Sequence, residues 1–309
     1  MPSLPASEPI DIEVARIREL SRSGRYLEAL DAAGTLALIA PYHRDVLYLT
    51  AANQRCVNKI PEALETLERL EQHHPRFSLL YQERGYCYTT LRDAVRAIEA
   101  FQRGVTLNPA LMLSWVMLER LYRMTGDGNS ATTAAAHVTA LNGRAPEVVR
   151  AGGLASDGEL AAAERILRAC LRNAETDIEA LWLLARIERQ NNILAAAETH
   201  LEAVLRLAPH HRSARLDYVR TLIDRQKYPQ AHEAVNSLLT LEPGNTDFLS
   251  LYGVTCVGLG RYEPAIGVYR QLIAASPGSS NLLVALGHCL KSVGQPREAI
   301  DAYRRAAAS

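Results

Sequence analysis

The chain has 309 residues, 48% hydrophobic and 22% charged, enough apolar content for one large domain or two ordinary ones, which excludes disorder over most of its length. Lys plus Arg and Asp plus Glu each total 34, so the formal net charge is +0 and bulk electrostatics give no reason to expect nucleic acid or an anionic membrane as partner. No stretch approaches the roughly 18 uninterrupted apolar residues that a membrane span needs. The five cysteines (Cys56, Cys87, Cys170, Cys256, Cys289) are dispersed and form no Cys-x-x-Cys, which points to a reducing cytoplasm. Arginine dominates the cations, with only Lys59, Lys227 and Lys291 as lysines, a skew that fits a GC-rich bacterial origin.

Residues 1–9 carry no basic cluster followed by an apolar core and read as a flexible lead rather than an export signal. From about residue 10 the chain repeats itself. Prolines at 41, 75 and 109 are 34 apart, as are those at 209, 243 and 277, and the gap between the two series is three periods less two residues. Alanines keep the same register at 29, 63, 97, 131, 163, 197, 231, 265 and 299. Periods therefore start near residues 10, 44, 78, 112, 144, 178, 212, 246 and 280. Between these marks the apolar residues recur at three and four, as in EALWLLARIERQ (179–190), and strand-like alternation is absent. Gly24, Gly126, Gly260 and Gly294 fall where a left-handed residue would end the first helix of a pair. Each period thus predicts helix, tight turn, helix and a proline-marked turn.

The third period, with Tyr81, Gly85, Tyr88, Ala97, Phe101 and Pro109, resembles the tetratricopeptide repeat family. The eighth, with Leu249, Gly253, Cys256, Ala265, Tyr269 and Pro277, does so too, and Trp115 and Trp182 lie near the start of the first helix in theirs. The resemblance spans about residues 10–309 and implies an all-α, right-handed superhelical solenoid of about nine helix-turn-helix repeats. Departures concentrate in the fourth and fifth periods, where Gly143 and Glu175 replace the closing proline and Glu119 takes the small-residue position. We expect repeats 1–4 over 10–143 and repeats 5–9 over 144–309. The glycine-rich junction 125–158 reads either as a hinge or as a decayed repeat that still packs. The last repeat is incomplete, and its final helix offers Ile300, Tyr303 and Ala306–Ala308, an end that suits self-association or a chain that continues.

No phosphate-cradling loop or dinucleotide fingerprint occurs, so neither catalysis nor a cofactor is expected within these residues. His232-Glu233-Ala-Val-Asn236 carries Asn236 where a zinc-protease helix needs its second histidine, and no metal site is expected. His73-His74 and His210-His211 read as solvent-exposed turn histidines, and all five cysteines as packing residues. The run Gly294–Ala306 is also similar to arrays that precede the catalytic domain of bacterial sulfotransferases. On that alternative the chain would be a substrate-recruiting half whose transferase domain lies beyond Ser309.

The family resemblance implies a groove lined by the first helices. Carried over by position, it gives Arg18, Arg22, Tyr48, Arg55, Gln82, Tyr86, Thr89, Arg120 and Arg123, then Trp182, Arg186, Arg189, Gln190, Arg220, Asn281, His288 and Lys291. Arginine beside Tyr and Trp suits a protein or peptide partner, an acidic one in particular, because guanidinium forks bind carboxylates bidentately. The competing expectation is that Arg186, Arg189 and Arg220 pair with Glu179, Asp217 and Asp224 of the chain itself.

Overall fold

A computed structural model describes residues 8–308, and those residues form eighteen α-helices with no strand among them. The helices are α1 (Glu8–Arg22), α2 (Tyr26–Ala37), α3 (Arg44–Cys56), α4 (Ile60–His73), α5 (Ser78–Thr90), α6 (Ala94–Leu107), α7 (Met112–Thr125), α8 (Gly128–Asn142) and α9 (Pro146–Ser156), followed by α10 (Leu160–Asn173), α11 (Ile178–Gln190), α12 (Leu194–Leu207), α13 (Arg212–Asp224), α14 (Tyr228–Leu241), α15 (Thr246–Gly258), α16 (Tyr262–Ala275), α17 (Ser280–Ser292) and α18 (Pro296–Ala308). The odd helices open within two residues of the expected period starts. Of the expected lead, residues 1–7 lie outside the described residues, and α1 begins at Glu8.

Three local devices make the pair. All nine register alanines are buried, the most exposed being Ala131 at 4%, so the two helices of a pair approach across a methyl group. The turn between them holds one left-handed residue every time. It is glycine at Gly24, Gly126, Gly158, Gly260 and Gly294, and a larger residue at Asn58, Arg92, Asn192 and Gln226, with φ between 59° and 62°. The turn between pairs is closed by the fourth residue of the next first helix. Tyr81 Oη donates to the carbonyl of Pro75 at 2.8 Å, Trp115 Nε1 to Pro109 at 3.0 Å, and Arg215 Nε to Pro209. An aromatic at that position therefore satisfies a carbonyl that the preceding helix leaves over.

The chain divides into two compact units, and the boundary falls inside α10, between Ile166 and Leu167. Each unit is an α-solenoid of paired helices. In the first, odd helices pack on the next odd helix as well as on their even neighbours (α1 on α3, α3 on α5); in the second, α11 does so on α13 and α13 on α15. The odd helices therefore form an inner layer. The first unit's core runs from Val14, Ile17 and Leu36 through Leu67, Leu70 and Leu80 to Phe101 and Leu118. The second runs from Leu181 and Leu201 through Val219 and Phe248 to Tyr269, Leu283 and Leu286.

The irregular segment of the first unit is helical but placed unusually. The end of α9 and the turn after it meet the amino-terminal ends of α3 and α5. Asn108, 1% exposed, donates to the Gly153 carbonyl at 3.2 Å and to Asp157 at 3.1 Å. Asp157 accepts the first amide of α5, Ser78 N–H, at 2.9 Å, and Glu159 pairs with Arg44 at the start of α3. α5 has no side-chain cap from its own Phe77, so a carboxylate 79 residues away serves as one.

Candidate peptide-binding faces

In the first unit the inner layer presents a tyrosine–arginine cluster. Arg55 Nε donates to Glu83 at 2.7 Å, while its guanidinium lies 5.1 Å from the centre of the Tyr86 ring. Tyr86 meets Phe101 edge-on at 5.3 Å, and Tyr48 meets Phe77 edge-on at 5.5 Å. Burial, and then the Glu83 charge, push both tyrosine hydroxyls above their ordinary range, so each stays a neutral phenol. Glu83 is 5% exposed and is compensated by Arg55.

Other expected groove positions take different roles. Gln82 is 8% exposed and accepts the Ser114 hydroxyl at 3.0 Å, so it ties α5 to α7 rather than lining a surface. Arg18 pairs with Asp45 at 2.7 Å and Arg123 with Glu119 at 2.7 Å. Arg120 is exposed beside a cavity formed with Thr89, Arg92, Ala94, Met117, Leu121 and Met124.

In the second unit Trp182 is the centre. Its indole N–H donates to Asp217 at 2.8 Å, and the Arg186 guanidinium lies 5.0 Å from the ring centre. Arg220 reaches the other oxygen of Asp217 at 3.7 Å, and Arg189 pairs with Asp224 at 3.3 Å. Farther along, His288 Nδ1 meets the Tyr303 hydroxyl at 3.2 Å, and Lys291 is exposed. Much of the positive charge carried by these arginines is thus met by carboxylates of the same unit. Buried acids are matched as well: Glu188 bonds His200 at 2.7 Å, and Glu198 bonds Arg225 together with Lys227.

The turn histidines divide. His73 and His210 are exposed, but His211 caps α13 by accepting the Ala214 amide at 3.0 Å, and His74 Nε2 meets the Tyr42 carbonyl at 2.9 Å. These two are partly buried and structural, because each offers a ring nitrogen to backbone that the turn leaves unpaired. His232 Nδ1 meets Thr255 Oγ1 at 3.1 Å. No group of three His, Cys, Asp or Glu among the described residues could hold a metal ion. Cys87, Cys256 and Cys289 are buried, and burial raises their thiol pKa values, Cys87 to about 11. Cys56 is exposed at the end of α3, which corrects its reading as a packing residue. No helix among the described residues is long and apolar enough to cross a membrane.

Paired helices on a 34-residue period, a buried alanine in every pair and, within each unit, first helices packed on one another define an α-solenoid with interaction surfaces. Family models for the tetratricopeptide repeat match residues 57–111 and 282–309, and a model described as the cytochrome c-type biogenesis protein H TPR domain matches 150–283. The chain belongs to the tetratricopeptide repeat family. No curated protein matches it in sequence. Among solved structures, MamA 41-end from Desulfovibrio magneticus RS-1 is 17% identical over 53% of this chain and 95% of its own, with a TM-score of 0.50. MamA AMB-1 is 19% identical over 53% of this chain and 96% of its own, with a TM-score of 0.49. Likeness at this identity concerns the fold.

Proposed function

We propose that the chain is a non-catalytic scaffold that binds protein or extended peptide on the faces that the odd helices make within its units. The observation that carries this reading is Trp182. A large ring, half-buried, is fixed through its N–H by Asp217 and covered on one face by Arg186. Holding an aromatic and a guanidinium in place before a partner arrives lowers the ordering cost of binding, and such residues are the usual anchors of an interface. Tyr48, Arg55 and Tyr86 supply a similar arrangement in the first unit. An acidic segment suits the arginines that make no ion pair among the described residues, Arg120 and Arg186 among them. The scaffold reading keeps the cytoplasmic setting expected from the dispersed cysteines without Cys-x-x-Cys.

The test is affinity capture from the source lysate, beside two variants that keep the helical circular dichroism of the parent. One changes Trp182 and Arg186 to Ser; the other changes Arg120, Arg123, Arg186, Arg189 and Arg220 to Ser. A protein retained by the parent and lost from both variants supports an acidic partner on this face. Equal retention by all three sinks the inner-face reading.

A further inference from the structure

Between the carboxyl-terminal halves of α5 and α7 lies an open cavity of about 320 Å3. Leu121, 4% exposed, forms its floor with Thr89, and two methionines line it: Met117, half-buried, and Met124, 70% exposed. Arg92 and Arg120, both exposed, stand on its rim. Neither forms an ion pair among the described residues, whereas neighbouring arginines do: Arg55 with Glu83, Arg96 with Asp93 and Arg123 with Glu119.

Arg92 also occupies the left-handed turn position, at φ 59°, where five other pairs use glycine. α5 and α7 both end at this edge, so their terminal carbonyls alone would favour a cation there. Two guanidiniums without carboxylates reverse that preference.

We propose that this pocket is a specific anchor site for a polypeptide in which a bulky apolar side chain is flanked by a carboxylate. It rests on the scaffold reading above and names one subsite of it. Methionine walls adapt to aliphatic side chains of different shape, and the apolar floor excludes water from the group they enclose. The flanking carboxylate then meets Arg92 and Arg120, whose forks are free to receive it.

The test uses the four methionines, Met1, Met112, Met117 and Met124, as reporters. The chain is labelled at the methionine methyl carbons and titrated with the peptide Ser-Gly-Asp-Leu-Glu-Gly-Ser and with its neutral counterpart Ser-Gly-Asn-Leu-Gln-Gly-Ser. The Met117 and Met124 resonances should shift saturably with the acidic peptide while Met1 and Met112 stay in place. The neutral peptide, and an Arg92→Gly, Arg120→Gln variant, should each bind roughly tenfold more weakly or worse. Glycine at 92 is the residue other turns use, so the variant folds. Absence of a saturable Met117 or Met124 shift at millimolar peptide, or equal shifts with both peptides or in the variant, overturns the pocket. Capture of a protein through Trp182 and Arg186 with both methionines unmoved overturns the pocket alone and leaves the scaffold standing. A specific methionine shift with no captured partner supports the pocket and counts against the wider inner-face reading.

Discussion

A methyl group on Gly85 would lie 2.6 Å from Cε1 of Phe101, closer than real contacts allow, so the ring of one helix occupies the space that a side chain on the other would need. The same relation joins Gly253 to Tyr269 at 2.8 Å and Gly287 to Tyr303 at 2.6 Å. At the equivalent positions three other pairs hold Ala51 with Leu67, Ala185 with Leu201 and, in the reverse order, Ile17 with Ala33, all of them buried. Volume is shared between two positions sixteen residues apart. Gly85→Ala alone should therefore cost about 1–3 kcal/mol by overpacking. Phe101→Leu alone should cost through the cavity it leaves. The double variant recreates the Ala–Leu pair of other periods and should recover most of the sum. Urea midpoints of the four proteins form the cycle that checks this, and strictly additive losses would refute the shared-volume account.

The left-handed turn positions give a second prediction of opposite sign. Arg92 and Gln226 hold φ of 59°, a conformation that costs an L-residue about 1–2 kcal/mol and glycine little. Neither side chain makes a hydrogen bond or ion pair among the described residues to offset that cost, so Gln226→Gly should raise the unfolding free energy by about 1 kcal/mol, and Gly260→Ala should lower it by at least as much. Asn58→Gly should gain less, since asparagine tolerates this region. Thermal and urea unfolding of the three single variants measures the order.

Helix positions were legible in the sequence because the devices that set them are local and periodic: an alanine at a fixed register, a glycine under an aromatic, a proline-marked turn. The turns at Arg92 and Gln226 were not marked, since the residue that reveals a left-handed position is glycine and these two lack it. The placement of α9 was hidden for another reason. It depends on Asp157 meeting Ser78 and Asn108, contacts that leave no local pattern. Among the surface arginines, the Arg220–Asp217 and Arg189–Asp224 pairs could be read from spacing, one turn apart on α13 and one period plus one residue across α11 and α13. The methionine cavity escaped because Arg92 lies in a turn, outside the helix positions from which the groove was inferred.

The α9 contacts predict a local, rather than global, weakness. Asn108→Ala removes the donor to Gly153 and Asp157, and Asp157→Ala leaves the buried Ser78 amide without its acceptor. Each should cost about 1–3 kcal/mol. Hydrogen exchange should speed up over residues 146–160 and at the first turn of α5, while the second unit keeps its protection. Unchanged exchange at 146–160 in both variants would show that α9 is held by other contacts.

His232 predicts a pH dependence in the second unit. Burial, and then the Arg261 charge opposed by Glu233, lower its pKa from the ordinary 6.5, so the fold favours the neutral ring that bonds Thr255. A group with a lowered folded pKa supports the fold above its unfolded value and withdraws that support as pH falls toward the folded one. Stability should therefore decline as pH drops below about 6.5. Gln at position 232 cannot titrate, so His232→Gln should flatten that part of the slope. Urea midpoints at pH 7.5 and 5.5 compare the two proteins, and an unchanged slope would remove His232 from the account.

Asp217 predicts what happens when the support of Trp182 is taken away. Its carboxylate, 7% exposed, accepts the indole N–H at 2.8 Å and lies 3.7 Å from Arg220. Asp217→Ala leaves a half-buried donor unpaired and releases Arg220 toward solvent, which should cost about 1–3 kcal/mol. The two tryptophans allow the effect to be assigned, because Trp115 belongs to the first unit and Trp182 to the second. In a Trp115→Phe background the emission of Trp182 should shift on Asp217→Ala, while in a Trp182→Phe background the emission of Trp115 should not. If a partner docks on the fixed ring, Asp217→Ala should weaken it even though the variant exposes more positive charge. Tighter binding by the same variant would instead mean that charge, not the held aromatic, carries recognition on this face.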